Sequence, residues 1–358
     1  MKKTNLKRIG LKKIGLIVFL AVVLAMAALA TSVYLEIRHV ADEDAGSVLF
    51  EVAPGDGFSA VVARLQTEGI VEKSFGLKIY AKLTGRDRRI RRGIYELSPA
   101  DRPIDTLDKL VFGIVKMVSV TIPEGYMKWD IAASFEAVGI DSITMYDALE
   151  DPSLLAERQL TVGSLEGYLF PDTYQIVYGT TADRVVEQML ARLDAVFSTE
   201  LIQRTMDQDM TPHEVLTLAS IVEAEARVAD ERPRIAAVYR NRIRRGMRLE
   251  ADPTVAYAMG GYRGRLLYKD LEIDSPYNTY RNRGLPPGPI CSAGEASIRA
   301  ALYPDTTSQA LYFVARGDGS HIFSMTLREH QAATRRARAE KKRGGASNET
   351  NAQGEPRS

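Results

Sequence analysis

The chain has 358 residues, 45% of them hydrophobic and 26% charged, which suits two or three modest globular domains and excludes a disordered chain. Its 47 basic and 46 acidic side chains leave a formal net charge of +1, so no global field points to a nucleic-acid partner. A single cysteine, Cys291, excludes an intramolecular disulfide, and four histidines without an HExxH spacing argue against a zinc site.

No glycine loop of the phosphate-cradling kind is present either, so no cofactor and no metal are expected. Residues 1–13 carry Lys2, Lys3, Lys7, Arg8, Lys12 and Lys13 and no acid. The 22 residues 14–35 that follow have no charge, enough to cross a bilayer core. A cleaved signal peptide ending at "ALA" (28–30) is the rival reading, but its apolar core is normally about 7–15 residues. An uncleaved anchor is therefore expected. Its basic flank stays in the cytoplasm and the rest lies across a cell (inner) membrane, in the periplasm or outside. Residues 36–47 read as a short polar linker.

A repeat comes next. "EVAPGDGFSAVVARLQTEGIV" (51–71) is matched by "TIPEGYMKWDIAASFEAVGID" (121–141), with 14 residues from Gly55 to Gly69 and from Gly125 to Gly139, at an offset of 70. Each copy predicts a short strand, a glycine turn, an amphipathic helix and a left-handed glycine cap. The opening resembles the LysM carbohydrate-binding module. A LysM-like α/β module is expected over 48–118, with 119–160 as a second unit of that kind. The basic run "GRDRRIRRGIYELSP" (85–99) is read as a solvated loop leading into a strand, with contact to anionic lipid or wall polymer as the other reading. From about 160 to 336, turn-rich aromatic segments alternate with helices, and 119–336 is taken as a mixed α+β catalytic domain. Residues 337–358, polar and without aromatics, are expected to be a frayed helix end and a disordered tail.

The helix "VLTLASIVEAEARVAD" (215–230) poses the chemical question. Thr211 with Glu214 forms a capping box and Pro212 opens the helix. Val215, Leu218, Ala219, Val222 and Ala226 make one buried stripe. Glu223 and Glu225 fall on its opposite shoulders, both partly desolvated. Desolvation raises a carboxyl pKa and suits a general acid, whereas pairing with Arg227, Arg232 or Arg234 would make either residue structural. Helix geometry does not choose between the two glutamates.

Three turns supply polar and aromatic groups of the kind that hold sugars: Glu166 and Tyr168 in "SLEGYLFPDTYQI", Asp252 and Thr254 in "LEADPTVAYAMG", and Tyr277, Asn278 and Thr279 ahead of "GLPPGPI". The competing reading is that prolines and tyrosines only shape these loops.

The segments "EGYLFPDTY", "LASIVEAEA", "RIAAVYRNRIRRGMRLEADPTVAYAMG" and "SPYNTYRNRGLPPGPICSAGEASIRAALYP" resemble, in order, the MltG/YceG-like endolytic murein transglycosylases. "ICSAG" departs from the family, which often has a proline before that glycine. The resemblance implies a membrane-anchored enzyme that cuts peptidoglycan glycan strands internally. It further implies that Glu223 is catalytic, with Glu225 supporting or structural, and that peptidoglycan synthases are partners; the polar and aromatic turns themselves give Glu166, Tyr168, Asp252, Thr254, Tyr277, Asn278 and Thr279 as the expected substrate contacts. The cut would lie between N-acetylmuramic acid and N-acetylglucosamine and leave a 1,6-anhydro end. The alternatives are a hydrolase using Asp252 or Glu166 as second carboxylate, and a non-catalytic wall-binding scaffold.

Overall fold

A computed structural model describes residues 3–261, 264 and 266–352, with side chains over 14–261, 264 and 266–340. It divides into two units, 1–118 with 177–179, and 119–176 with 180–358.

The first unit opens with helix α1 (Lys3–Glu36), whose Ile14–Glu36 portion is long and apolar enough to cross a membrane. Strand β1 (Val48–Val52), α2 (Phe58–Thr67), α3 (Phe75–Leu83), β2 (Gly93–Leu97) and α4 (Pro103–Phe112) follow. β1 and β2 pair antiparallel with Phe50 opposite Tyr95 and Val52 opposite Gly93. Alternation places Phe50, Val52, Tyr95 and Leu97 on one face, where they pack with Val61, Leu65, Leu77, Leu107 and Leu110. The buried Tyr95 hydroxyl donates to the Arg91 carbonyl. Within the basic run, Arg86 pairs with Asp108, while Arg88, Arg89, Arg91 and Arg92 are exposed.

Residues 36–47 are not a loose linker. Ile37 is buried and its carbonyl accepts from Ile104 N–H, Ala41 and Asp42 N–H donate to the Pro99 carbonyl, and Ser98 Oγ donates to the Ala45 carbonyl. The segment's polar composition hid this, because its bonds use backbone groups, which any sequence carries.

The second unit contains β3 (Met117–Thr121) from its third residue, α5 (Lys128–Ser134), α6 (Ser142–Leu149), α7 (Pro152–Glu157), β4 (Thr173–Val177), α8 (Ala182–Val196), α9 (Thr199–Asp207), α10 (Pro212–Glu225), α11 (Arg232–Arg244), α12 (Asp252–Ala258), α13 (Glu295–Leu302), the hairpin β5 (Tyr312–Ala315) and β6 (His321–Ser324), and α14 (Leu327–Ala352). The architecture is mixed α+β, with three two-stranded sheets among the described residues. α14 carries the helix beyond residue 337, where the sequence reading began a tail; the segment is rich in Ala, Arg, Lys and Glu, all good helix formers. Residues 353–358 of that expected tail lie outside the described residues.

The repeat is visible in the backbone. Gly55, Gly69, Gly125 and Gly139 have φ of 93°, 75°, 79° and 85°. The chain closes each helical stretch with matching bonds, Ile70 N–H to Leu65 O and Ile140 N–H to Phe135 O.

Helix α10 is the core of the second unit. Thr211 and Glu214 exchange the two bonds of the capping box. All residues from Val215 to Val222 are buried, not one stripe, with α11, α12 and α13 packed around the helix. Ser220 is tolerated inside because its Oγ accepts from Ile290 N–H and donates to the Thr217 carbonyl.

Candidate active site

Burial of α10 ends where the two glutamates begin, and the fold treats them differently. Glu223 is held at both carboxylate oxygens. Arg232 Nη2 donates to Oε1 at 3.1 Å and Gly294 N–H donates to Oε2 at 3.1 Å. Only 7% of the Glu223 side chain is exposed. The same Arg232 nitrogen lies 3.7 Å from Glu124 Oε2, and Arg232 Nε donates to Ser297 Oγ. Burial, then the charge of Glu223, raises the Glu124 pKa. This cluster ties the end of α10 to the start of α13 and to the 123–126 turn, which is itself bonded to Ser292. Of the arginines within reach in sequence, Arg232 is the one that pairs with Glu223.

Glu225 faces the other way. It lines a cavity of about 400 Å³ with Tyr239, Arg242, Glu250, Asp252, Tyr280, Tyr312, His321 and His330. Its carboxyl accepts a hydrogen bond from Tyr239 Oη at 3.1 Å. Burial, reinforced by the charge of Asp252 and only partly offset by the Tyr239 bond, raises its pKa to about 7. Asp252 is oriented by Tyr280 Oη at 2.6 Å. Glu250 adopts a left-handed φ of 51° and its carboxylate accepts from Arg242. That strained conformation is rare for a residue with a side chain and recurs at functional sites. His330 Nδ1 is buried with no hydrogen-bond partner among the described residues.

Glu166 forms a second acidic position. It is 4% exposed, and both oxygens accept from Lys128 N–H, at 3.2 and 3.1 Å. Burial raises its pKa to about 7 against the lowering effect of Lys128. Tyr257 also bonds to it, stacks on Trp129 with ring centroids 5.7 Å apart, and packs against Tyr277 at a 50° tilt with centroids 4.8 Å apart. Trp129 and Tyr257 were not singled out by the sequence reading. Trp129 lies within the second repeat copy and Tyr257 within "EADPTVAYAMG", on α12, so both belong to motifs the sequence displays.

Four of the expected substrate contacts have hydrogen-bond partners inside the protein. Tyr168 Oη bonds to His213 Nδ1 at 2.7 Å. Thr254 and Thr279 share a hydroxyl bond at 2.9 Å, and Thr279 Oγ also accepts from Ala251 N–H. Asn278, fully buried, donates to the Leu271 and Ile273 carbonyls and accepts from Tyr280 N–H. Asn278 meets backbone groups a few residues away, as short polar side chains in turns do, whereas Tyr168 and the Thr254–Thr279 pair bond across the fold. Asp252 does face the Glu225 cavity, and Tyr277 stands with Tyr257 and Trp129. Cys291 is buried and donates to the Ser220 carbonyl, and burial pushes its thiol well up, so it is no nucleophile.

A carboxyl whose pKa is raised to about 7, at the end of a core helix and lining an aromatic, polar cavity beside a second carboxylate, has the equipment of a general acid. The profile of the YceG-like family matches residues 50–336, and the chain belongs to that family. It is 34% identical over 304 residues to the endolytic murein transglycosylase of Bacillus subtilis strain 168, covering 80% of this chain and 84% of that one. It is 30% identical to the endolytic murein transglycosylase of Streptococcus pneumoniae serotype 2 strain D39, covering 81% of this chain and 59% of that longer one. The crystal structure of a yceG-like protein from Listeria monocytogenes superposes with a TM-score of 0.56 at 34% identity, over 81% of this chain and 99% of that one.

Proposed function

We propose that the chain is an endolytic murein transglycosylase, held at a membrane by α1, and that Glu225 rather than Glu223 carries the proton. The observation that supports this choice is the pair of environments on α10. Glu225 has a pKa near 7 and faces the cavity, while both Glu223 oxygens are occupied by Arg232 and Gly294.

Protonated Glu225 donates to the glycosidic oxygen between N-acetylmuramic acid and N-acetylglucosamine, and the bond breaks through an oxocarbenium-like state. The charge of Asp252 stabilises that cation electrostatically. Glu225, now a carboxylate, takes the proton of the muramic C6 hydroxyl as that oxygen attacks the anomeric carbon. The product is a 1,6-anhydro end and no water is consumed. The nucleophile is already tethered to the reacting centre, so a covalent enzyme intermediate is unnecessary. Tyr280 and Tyr312 in the wall of the Glu225 cavity supply flat faces for a pyranose ring, and Trp129, Tyr257 and Tyr277 beside Glu166 supply a separate aromatic subsite for the glycan strand.

The proximity of Asp252 to Glu225 favours one other reading, a hydrolase in which Asp252 activates water. Mass spectrometry of the ends released from purified wall separates the two. Anhydro ends with wild type, retained with Glu223→Gln and lost with Glu225→Gln, support the proposal. Reducing ends overturn it in favour of hydrolysis. The cytoplasmic placement of the N-terminus, the LysM-like role of the β1–α2–α3–β2 unit and a partnership with peptidoglycan synthases belong to the same proposal. The basic residues of the first turns of α1, Lys3 to Lys13, support the first, and the strand–turn–helix opening with its glycine cap supports the second.

A further inference from the structure

The anchor helix does not end in a flexible tether. Its last residue, Glu36, accepts a hydrogen bond from Gly76 N–H through Oε1 at 2.7 Å, at the start of α3. A Cβ on Gly76 would sit 3.0 Å from Glu36 Cδ, so glycine permits the close approach. Ile37 continues the helix by bonding to the Val33 carbonyl and is buried against α4, whose Ile104 N–H binds the Ile37 carbonyl. α1 and the first unit are thus joined by side-chain and backbone bonds across three elements.

That joint sets what stands at the bilayer surface. If Glu36 marks the end of the span, its partners at residues 72–76 lie at the same depth. Phe75, next to the Gly76 contact, is 61% exposed, and Tyr34 and Leu35 are 52% and 62% exposed. Beside them is an open cavity of about 530 Å³, lined by Ser32, Leu35, Glu36, Arg38, His39, Glu72, Lys73 and Pro103. Its lower wall belongs to the span. Its upper wall carries Arg38, whose guanidinium lies 4.7 Å from the Tyr34 ring, and Lys73. Glu72 lies 3.0 Å from His39 Nε2 and 4.0 Å from Lys73 Nζ, a loose exposed pair that a phosphate can displace.

We propose that this cavity seats the phosphate headgroup of a phospholipid from the leaflet where α1 ends, with Phe75 inserted among the acyl chains. Arg38 and Lys73 pair with the phosphate, Leu35 and Ser32 meet the glycerol and upper chain, and the Phe75 ring occupies the interface that aromatic side chains favour. The first unit is then fixed in height and tilt relative to the bilayer. The inference rests on α1 spanning a membrane and is independent of which glutamate is catalytic.

The test uses the full chain in nanodiscs of phosphatidylcholine with phosphatidylglycerol, carrying a nitroxide at Phe75→Cys or, as a reference inside the span, at Phe19→Cys. The native Cys291 is 1% exposed and does not take the label. Accessibility to oxygen against a water-soluble nickel chelate reports depth. The expected result is oxygen-favoured collision at both positions. It shifts toward the nickel reagent at position 75 when Arg38→Glu and Lys73→Glu are added. Oxygen-favoured collision at 19 with water-like collision at 75 overturns the inference and leaves the anchor standing. Water-like collision at both overturns the inference together with the anchor. No shift on reversing the two cations overturns the phosphate seat.

Discussion

Replacing Glu225 by glutamine should stabilise the protein at alkaline pH while abolishing activity. Burial raises this carboxyl from an ordinary 4.5 to about 7. Between those values the folded protein holds a proton that the unfolded chain has released, so stability falls as pH rises through that window and levels off above it. A shift of roughly 2.5 units, at about 1.36 kcal/mol each, corresponds to about 3 kcal/mol lost by pH 8. Glutamine has the same shape, keeps an acceptor for Tyr239 Oη and has no proton to lose. The difference between variant and wild type should therefore be near zero at pH 4.5 and approach about 3 kcal/mol at pH 8, a gain of roughly 6–12 °C in Tm. Glu166 titrates in the same window in both proteins and cancels. Thermal unfolding of the detergent-solubilised chain at the two pH values reads this directly. A difference that does not change with pH would refute the reasoning, because it would mean that Glu225 is not the group carrying the raised pKa. Glycan cleavage in the same variant should fall by about 10²–10⁴-fold, as for loss of a general acid.

The wild-type cleavage rate should decline as pH rises through about 7, because the acid must be protonated to act; a rate that keeps climbing to pH 9 speaks against Glu225. Glu223→Gln should retain cleavage but unfold more readily, by about 1.5–3 kcal/mol, since it weakens a charge-assisted bond from Arg232; denaturant titration measures it. Gly167→Ala should be more damaging than its size suggests. Gly167 has φ of 75°, and a Cβ would lie 2.2 Å from Pro289 Cβ and 3.0 Å from the Cys291 carbonyl, so a loss above about 2 kcal/mol is expected in the same titration. Trp129→Ala should weaken binding of soluble glycan fragments by about 0.5–1.5 kcal/mol of lost ring contact beyond area burial, with unchanged product ends, measured by calorimetry and mass spectrometry.

What could be read from the residues alone was local. The Thr211–Pro212–Glu214 signal marks the start of α10 because its bonds join residues three apart. The paired glycines at 55, 69, 125 and 139 announce left-handed turns because few other residues adopt that backbone. The uncharged run before Glu36 announces a span by length. The family, too, was legible in ordered motifs. The tertiary structure alone gave the two glutamates different partners. A helix wheel puts Glu223 and Glu225 on symmetric shoulders. Arg232 and Gly294, nine and 71 residues away in sequence from Glu223, claim one, and the wall built from Tyr239 to His330 encloses the other. The same holds for Thr254 and Thr279, whose hydroxyls meet across 25 residues of chain, and for residues 36–47, bonded by groups that leave no mark in composition. Desolvation and hydrogen-bond partnership are sums over neighbours distant in sequence, so a carboxyl's chemistry belongs to the packed protein and not to its motif.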